Sequence, residues 1–198
     1  MSQSNISIDL SQFQEEITLS DGEKISNIYA YRMDGNPNMA KYADLGTPPC
    51  CDYLYYYNDT RAVLIEDTCF EQTLKRELSN INQHINNKDK SLKEYLNKTL
   101  IEVLKKDIYL KVYGAFIILC RLEKKHKKIA NQLAGKDFSF WFIINDKGNI
   151  PAIDNLGIIP ALQNSFKEKL EGALNGAKLV KHTKVLLKKN FKTELQKR

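Results

Sequence analysis

Two carboxylates stand where a short hairpin would bring them together. Asp52 lies in an aromatic run, Cys51 to Tyr57 (CDYLYYY), and Glu66 closes an apolar run, Arg61 to Glu66 (RAVLIE), with Asp67 directly behind it. Asn58-Asp59-Thr60 is a polar turn between the runs, and β-formers on both sides of such a turn predict a hairpin. In an antiparallel pair turning near Asp59, the start of one strand lies beside the end of the other. Asp52 is therefore expected next to Glu66 and Asp67. Like charges that close repel, and proteins rarely place them together without a cation. Carboxylate oxygens suit Mg²⁺ or Mn²⁺. Such an ion can activate water and steady the charge on a phosphodiester. Asp52 and Glu66 are thus candidate metal ligands and catalytic residues. A salt bridge from Glu66 to Arg61, Lys75 or Arg121 is the competing explanation. Asp67 and Thr68 read more readily as caps of a helix starting at Cys69 or Phe70.

The elements around the hairpin follow from hydrophobic periodicity. The Arg61–Glu66 run is almost continuously apolar, which implies burial on both faces, as in a central strand covered by helices. Before it, Asp9 or Ser11 could cap a short helix carrying Phe13, Glu15 and Glu16. Ile25 to Tyr31 reads as a strand, and residues 33–49 as a loop rich in Gly and Pro. After it, Phe70, Leu74, Leu78, Ile81 and Ile85 predict a helix to about Asn86. Ser91 with Glu94 forms a capping box for a second helix, and a third runs from about Ile108 to Leu133. Phe138 to Asn145 (FSFWFIIN) is a strong strand, and Ser165 to Leu174 looks helical. Lys178 to Leu195 fits a strand or a basic amphipathic helix, and period alone does not separate them. Trp141 and the tyrosines of the hairpin read as core, with base stacking by Tyr53, Tyr55, Tyr56 and Tyr57 as the alternative. The expected fold class is α/β (α+β): a small mixed β-sheet with a central hairpin, flanked by helices.

Bulk composition narrows the class. The 198 residues are 42% hydrophobic and 27% charged, which suits one ordinary domain over 1–198 and rules out wholesale disorder. The most apolar stretch, Val112 to Cys120, is too short to span a membrane and reads as a buried core helix. The first residues lack the basic and apolar regions of a signal peptide, so a cytoplasmic location is expected. Cys50, Cys51, Cys69 and Cys120 show no zinc-type spacing and read as reduced thiols, with a zinc site from Cys50, Cys51 and Cys69 as the minor alternative. The three histidines lie far apart and read as surface residues. Charge is unevenly spread: residues 1–71 hold four Lys/Arg against twelve Asp/Glu, whereas 161–198 hold ten basic against three acidic side chains. An acidic front and a basic tail suit a metal site beside a polyanion-binding surface, or contact with an acidic protein partner. Lys181, Lys184, Lys188 and Lys189 are the candidate nucleic-acid contacts.

The segment CDYLYYYNDTRAVLIEDT resembles the motif hairpin of the PD-(D/E)XK nuclease superfamily. In that family an Asp begins one strand and the next strand ends in (D/E)-x-K. Asp52 matches the Asp and Glu66 the acidic position, while Cys51 stands where the motif name has Pro. Thr68 occupies the lysine position, a departure that removes the charge that helps activate the attacking water. The specific part spans about 17 residues, within a layout covering roughly 10–145. The resemblance implies a restriction-endonuclease-like fold, a preceding helix bearing Glu15 or Glu16, Mg²⁺ or Mn²⁺ as cofactor, and metal-dependent cleavage of DNA or RNA, by analogy in prokaryotic antiviral defence. A relocated cation would have to replace the lysine, with Lys75 as the first candidate and Lys111 as the second. The other function class is a catalytically inactive accessory subunit of a larger complex, which the missing lysine favours.

Overall fold

A computed structural model describes residues 8–35, 39–69, 90–145, 163, 164, 168 and 179–197. The first element among the described residues is a single 3-10 turn, Leu10–Phe13, capped by Asp9, whose carboxylate accepts a hydrogen bond from the Ser11 amide at 3.0 Å. The expected helix goes no further. Glu15 and Glu16 instead lie on strand β1, Gln14–Thr18, which pairs antiparallel with β2, Lys24–Arg32. Leu10 and Phe13 share a buried side for one turn only. From there Ile17 and Leu19 alternate inward with period two, and that burial selects the strand. The loop after β2 contains one short helix, α1, Met39–Tyr42.

The predicted hairpin forms from β3, Tyr53–Asn58, and β4, Arg61–Cys69. At its tip the Asn58 side chain accepts from the Thr60 amide at 3.1 Å, an Asx-type turn. β4 runs three residues beyond Glu66, so Asp67 and Thr68 are strand residues rather than helix caps. Burial on both faces rewards the extended pairing: β4 is buried from Ala62 to Asp67, sandwiched between β3 and β5.

Helix α2, Lys90–Lys125, is one continuous helix where two were expected. It starts one residue before Ser91 and passes through residues 105–107 without a break. Leu104, Ile108, Val112, Ala115, Ile118, Leu119 and Leu122 bury at successive turns, and this unbroken stripe holds it against the sheet. The break comes at His126, after which α3, Lys127–Leu133, adds Ile129 and Leu133 to the same core. β5, Asp137–Asn145, returns parallel to β4. The undecided tail is both things in turn: strand β6, His182–Leu187, parallel to β5, then helix α4, Lys188–Leu195. Among the described residues the sheet has six strands in sequence order, antiparallel from β1 to β4 and parallel from β4 to β6.

Helices α2 and α3 cover one face over Leu54, Leu64, Phe140 and Phe142. Phe191 and Leu195 of α4 pack on the other face, in one cluster with Ile17, Leu19, Ile25, Tyr55, Val63, Ile65 and Trp141. The hairpin tyrosines pack as core or half-core residues, and Trp141 is fully enclosed. One contact in the first layer is unusually tight. A β-carbon added at Gly114 of α2 would lie 1.8 Å from the carbonyl oxygen of Pro49. Only a glycine lets α2 approach the loop that leads into Asp52 this closely. Among the described residues no helix is long and apolar enough to cross a membrane.

Candidate functional site

The β3–β4 register pairs Tyr53 with Ile65, and one step further along the same register places Asp52 opposite Glu66. The carboxylate of Asp52 accepts from the Asp67 amide at 2.8 Å, and its own carbonyl accepts from the Met33 amide at 2.9 Å. Asp52 is therefore tied by side chain to β4 and by backbone to the end of β2. Strand alternation then sends Glu66 toward α2 and Asp67 toward the opposite face. Glu66 meets Lys111: the Lys111 ammonium donates to Glu66 Oε1, which also accepts from the Thr68 hydroxyl at 3.3 Å. Glu66 Oε2 is buried with no partner. Asp67 Oδ2 accepts from the Ser20 amide, the Ser20 hydroxyl accepts from the Asn145 side-chain amide at 3.2 Å, and Asp67 Oδ1 is buried and unpartnered.

The electrostatics follow from burial. Glu66 is 1% exposed. Desolvation first, and the Asp52 charge second, push its carboxyl up to about 8 against the pull of Lys111. Burial pushes Asp52 up to about 6, partly offset by the Asp67 amide and by Lys111. Burial opposes the charge on Lys111 as well, but Glu66 and Asp52 together raise its pKa above the ordinary lysine value. A positive charge is thereby held against two carboxyl groups that are reluctant to ionise. The consequence is measurable. Carboxyl groups whose folded pKa is raised stabilise the fold fully below their unfolded values, near 4, and lose that contribution as pH rises through the folded value. In chelator, the melting temperature should fall from pH 5 to about pH 8 and then level off. Glu66→Gln should flatten that fall, most cleanly between about pH 6 and 8 where the Asp52 part has ended; an unchanged slope in Glu66→Gln would assign it to other groups.

The lysine that reaches the pair is Lys111, the second of the two candidates. Lys75 lies outside the described residues. Glu66 does make an ion pair, but with Lys111 rather than Arg61, which instead sits over the Tyr57 ring. Glu15, expected on a helix, pairs from β1 with Arg32 at 3.0 Å. Three tail lysines are occupied by acids of the same chain. Lys181 pairs with Asp137, Lys184 with Glu194, and Lys188 with Asp21 and Glu23, while Lys189 is exposed on the first turn of α4. Cys50, Cys51 and Cys69 are buried and free, and Cys120 is exposed and free. Among the described residues no group of three or more His, Cys, Asp or Glu side chains is arranged to hold a metal ion.

A cavity of about 570 Å³ opens beside Asp52 and Asp67. Its wall includes Glu15, Glu16, Lys24, Arg32, Asp34 and Tyr53, contributed by β1, β2, the loop after β2 and the start of β3. Sequence reasoning missed this cavity and the Asp67–Ser20–Asn145 chain. The signal was there only indirectly, in two polar residues ending otherwise apolar strands: Asp67 near the end of β4 and Asn145 at the end of β5. No family model matches the chain, and neither the curated proteins nor the solved structures contain a match to it.

Proposed function

We propose that the chain is a divalent-metal-dependent phosphodiesterase of nuclease type, acting on DNA or RNA, with a restriction-endonuclease-like arrangement of its hairpin. The observation that carries this reading is the Asp52–Glu66 pair at the open end of β3–β4 with the Lys111 ammonium against it. The motif hairpin places an acid at the start of one strand and another near the end of the next. Thr68 leaves the lysine position neutral, and Lys111 brings the missing charge from α2. The donor set fits Mg²⁺ or Mn²⁺: two hard carboxylates, with a Glu66 oxygen left without a donor. Mg²⁺ keeps several waters and often uses only one or two protein carboxylates, so a cluster of three acids is not needed. When bound, the ion would supply Lewis acidity to the scissile phosphodiester. The residues themselves do the positioning. The Asp67 amide orients Asp52, Thr68 and Lys111 orient Glu66, and Lys111 holds a proton donor and a positive charge against Glu66, from where it would serve a phosphodiester bound there. Surface ion pairs such as Lys181–Asp137 are weak enough for a phosphate to displace the acid, which leaves the basic tail available for substrate.

The test is Mg²⁺- or Mn²⁺-dependent cleavage of single- and double-stranded DNA and RNA, with Asp52→Asn and Glu66→Gln alongside. Cleavage should drop by roughly 10²-fold or more in each variant with the melting temperature retained. No cleavage of any substrate would sink the enzymatic reading. The second reading, an inactive nuclease-fold subunit in a larger protein complex, is favoured by one observation: Glu66 is sealed from solvent and already neutralised by Lys111. On that reading divalent ions leave the melting temperature unchanged, and Glu66→Gln affects stability alone.

A further inference from the structure

Helix α2 carries two apolar stripes, and the sheet covers one of them. Leu104, Ile108, Val112, Ala115, Leu119 and Leu122 belong to the core. On the opposite side Leu110, Tyr113, Ile117 and Cys120 recur at intervals of three, four and three residues, the spacing of a seam between two packed helices. Leu110 is 50% exposed and Ile117 57%; with Tyr29 they are the large hydrophobic side chains left exposed among the described residues. One exposed aliphatic side chain on a surface is ordinary, but two of them a heptad apart, joined by Tyr113 and Cys120, make a continuous patch. Leu45 and Leu179 join Tyr113, Ile117 and Cys120 in lining an open groove of about 520 Å³. Lys106 and Lys124 take the next places in the series and are exposed, so the apolar seam ends at each of them.

The charges beside the seam say what fits it. Asp107 and Arg121 lie on one flank, two heptads and therefore about 21 Å apart along the helix. Both are exposed, and neither is in an ion pair with another described residue. Asp44, the acid nearest in charge to Arg121, is paired with Lys125. Gly114 stands midway between Asp107 and Arg121. A two-fold axis through Gly114, perpendicular to α2, carries each of them onto the place of the other. Asp107 of one copy then meets Arg121 of the second, twice, while Leu110 and Tyr113 pack against Ile117 and Cys120. A parallel pairing would instead bring the two acids to one end and the two bases to the other. An unrelated partner would need an acid and a base in this same register, whereas a second copy supplies them by symmetry.

We propose that the outer face of α2 is a self-association surface, on which a second copy of this chain docks its own α2 antiparallel across a two-fold axis near Gly114. The inference is independent of the proposed metal chemistry. Apolar contact supplies the attraction, and the two charge pairs select the orientation.

Sedimentation equilibrium of the full chain, over a range of concentrations and with reductant present, tests this. Wild type should show a monomer–dimer equilibrium. Ile117→Asp should weaken it at least tenfold with the fold intact by melting curve, since the side chain is exposed in the single chain. Asp107→Arg and Arg121→Asp should each weaken it about tenfold by setting like charges together. An equimolar mixture of these two variants should recover the dimer, because every altered side chain then meets its opposite. Misfolding cannot imitate that recovery. A wild type that stays monomeric at every concentration, or forms open-ended larger assemblies, overturns the proposal. So does a dimer that Ile117→Asp leaves intact, which would lie on another face. Loss of the dimer in Ile117→Asp with no change in either charge variant overturns the antiparallel pairing.

Discussion

Lys111→Met should destabilise the protein by about 3–5 kcal/mol at pH 9 and by clearly less at pH 6. Removing one partner of a buried pair leaves the other charge without compensation, and Glu66 is 1% exposed. At pH 6 the carboxyl group escapes the cost by taking up a proton, since burial already lifts its pKa to about 8. At pH 9 it must either stay charged in an apolar layer or hold a proton against the solvent. Chemical denaturation at both pH values measures the difference. Glu66→Gln combined with Lys111→Met should recover most of the loss, because replacing both members of a buried pair is close to neutral. A penalty in Lys111→Met that is equal at the two pH values, with no recovery in the double variant, would show that Lys111 contributes through its aliphatic packing.

Gly114→Val should cost at least about 3 kcal/mol, and Gly114→Ala about 1–3 kcal/mol, at the upper end of overpacking effects. The intruding atom meets a backbone carbonyl at 1.8 Å, not the yielding end of a side chain, so helix or loop must move. Pro49 limits how the loop can move, since its φ is fixed. Any shift is passed along Cys50 and Cys51 to Asp52, and along one turn of α2 to Lys111. The same substitutions should therefore reduce ion-dependent cleavage, or Mn²⁺ affinity at Asp52, beyond what the lost stability accounts for. Full affinity in a folded Gly114→Ala variant would separate the close contact from the site.

The parts of this fold legible in the sequence are those written in local pattern. Tyr53 to Tyr57 and Arg61 to Ile65 carry strong strand propensity on both sides of an Asn-Asp-Thr turn, and the register follows from the turn. Asp52 beside Glu66 follows in the same way. What was not legible depends on partners distant in the chain. Lys111 lies 45 residues from Glu66, and nothing in its surroundings distinguishes it from the other lysines of that helix. Glu15 and Glu16 look helical because Leu10 and Phe13 are three apart, until β2 offers β1 an edge to pair with. The apparent boundary near residue 105 ignored a stripe that continues from Leu104 to Ile108. The tail was ambiguous because strand and helix abut at Leu187–Lys188 without a turn signal between them. Its lysines suggested a polyanion surface, and two of them, Lys188 and Lys192, also pair with Asp21 and Glu23 of the acidic front.

The crossover between the parallel strands β4 and β5 bears on the order in which the molecule assembles. β3 and β4 are adjacent in sequence and can close within microseconds, whereas the contact between Glu66 and Lys111 joins residues 45 apart in the chain. If the hairpin closes first, Glu66 stays hydrated until α2 docks, and its desolvation and capture by Lys111 come on the native side of the barrier, an order that a φ-value near zero at Lys111 would support. Replacing Lys111 would then hasten unfolding and leave the folding rate nearly unchanged. The charge pair thus serves as a timer on the native state, governing how long the site, once assembled, survives.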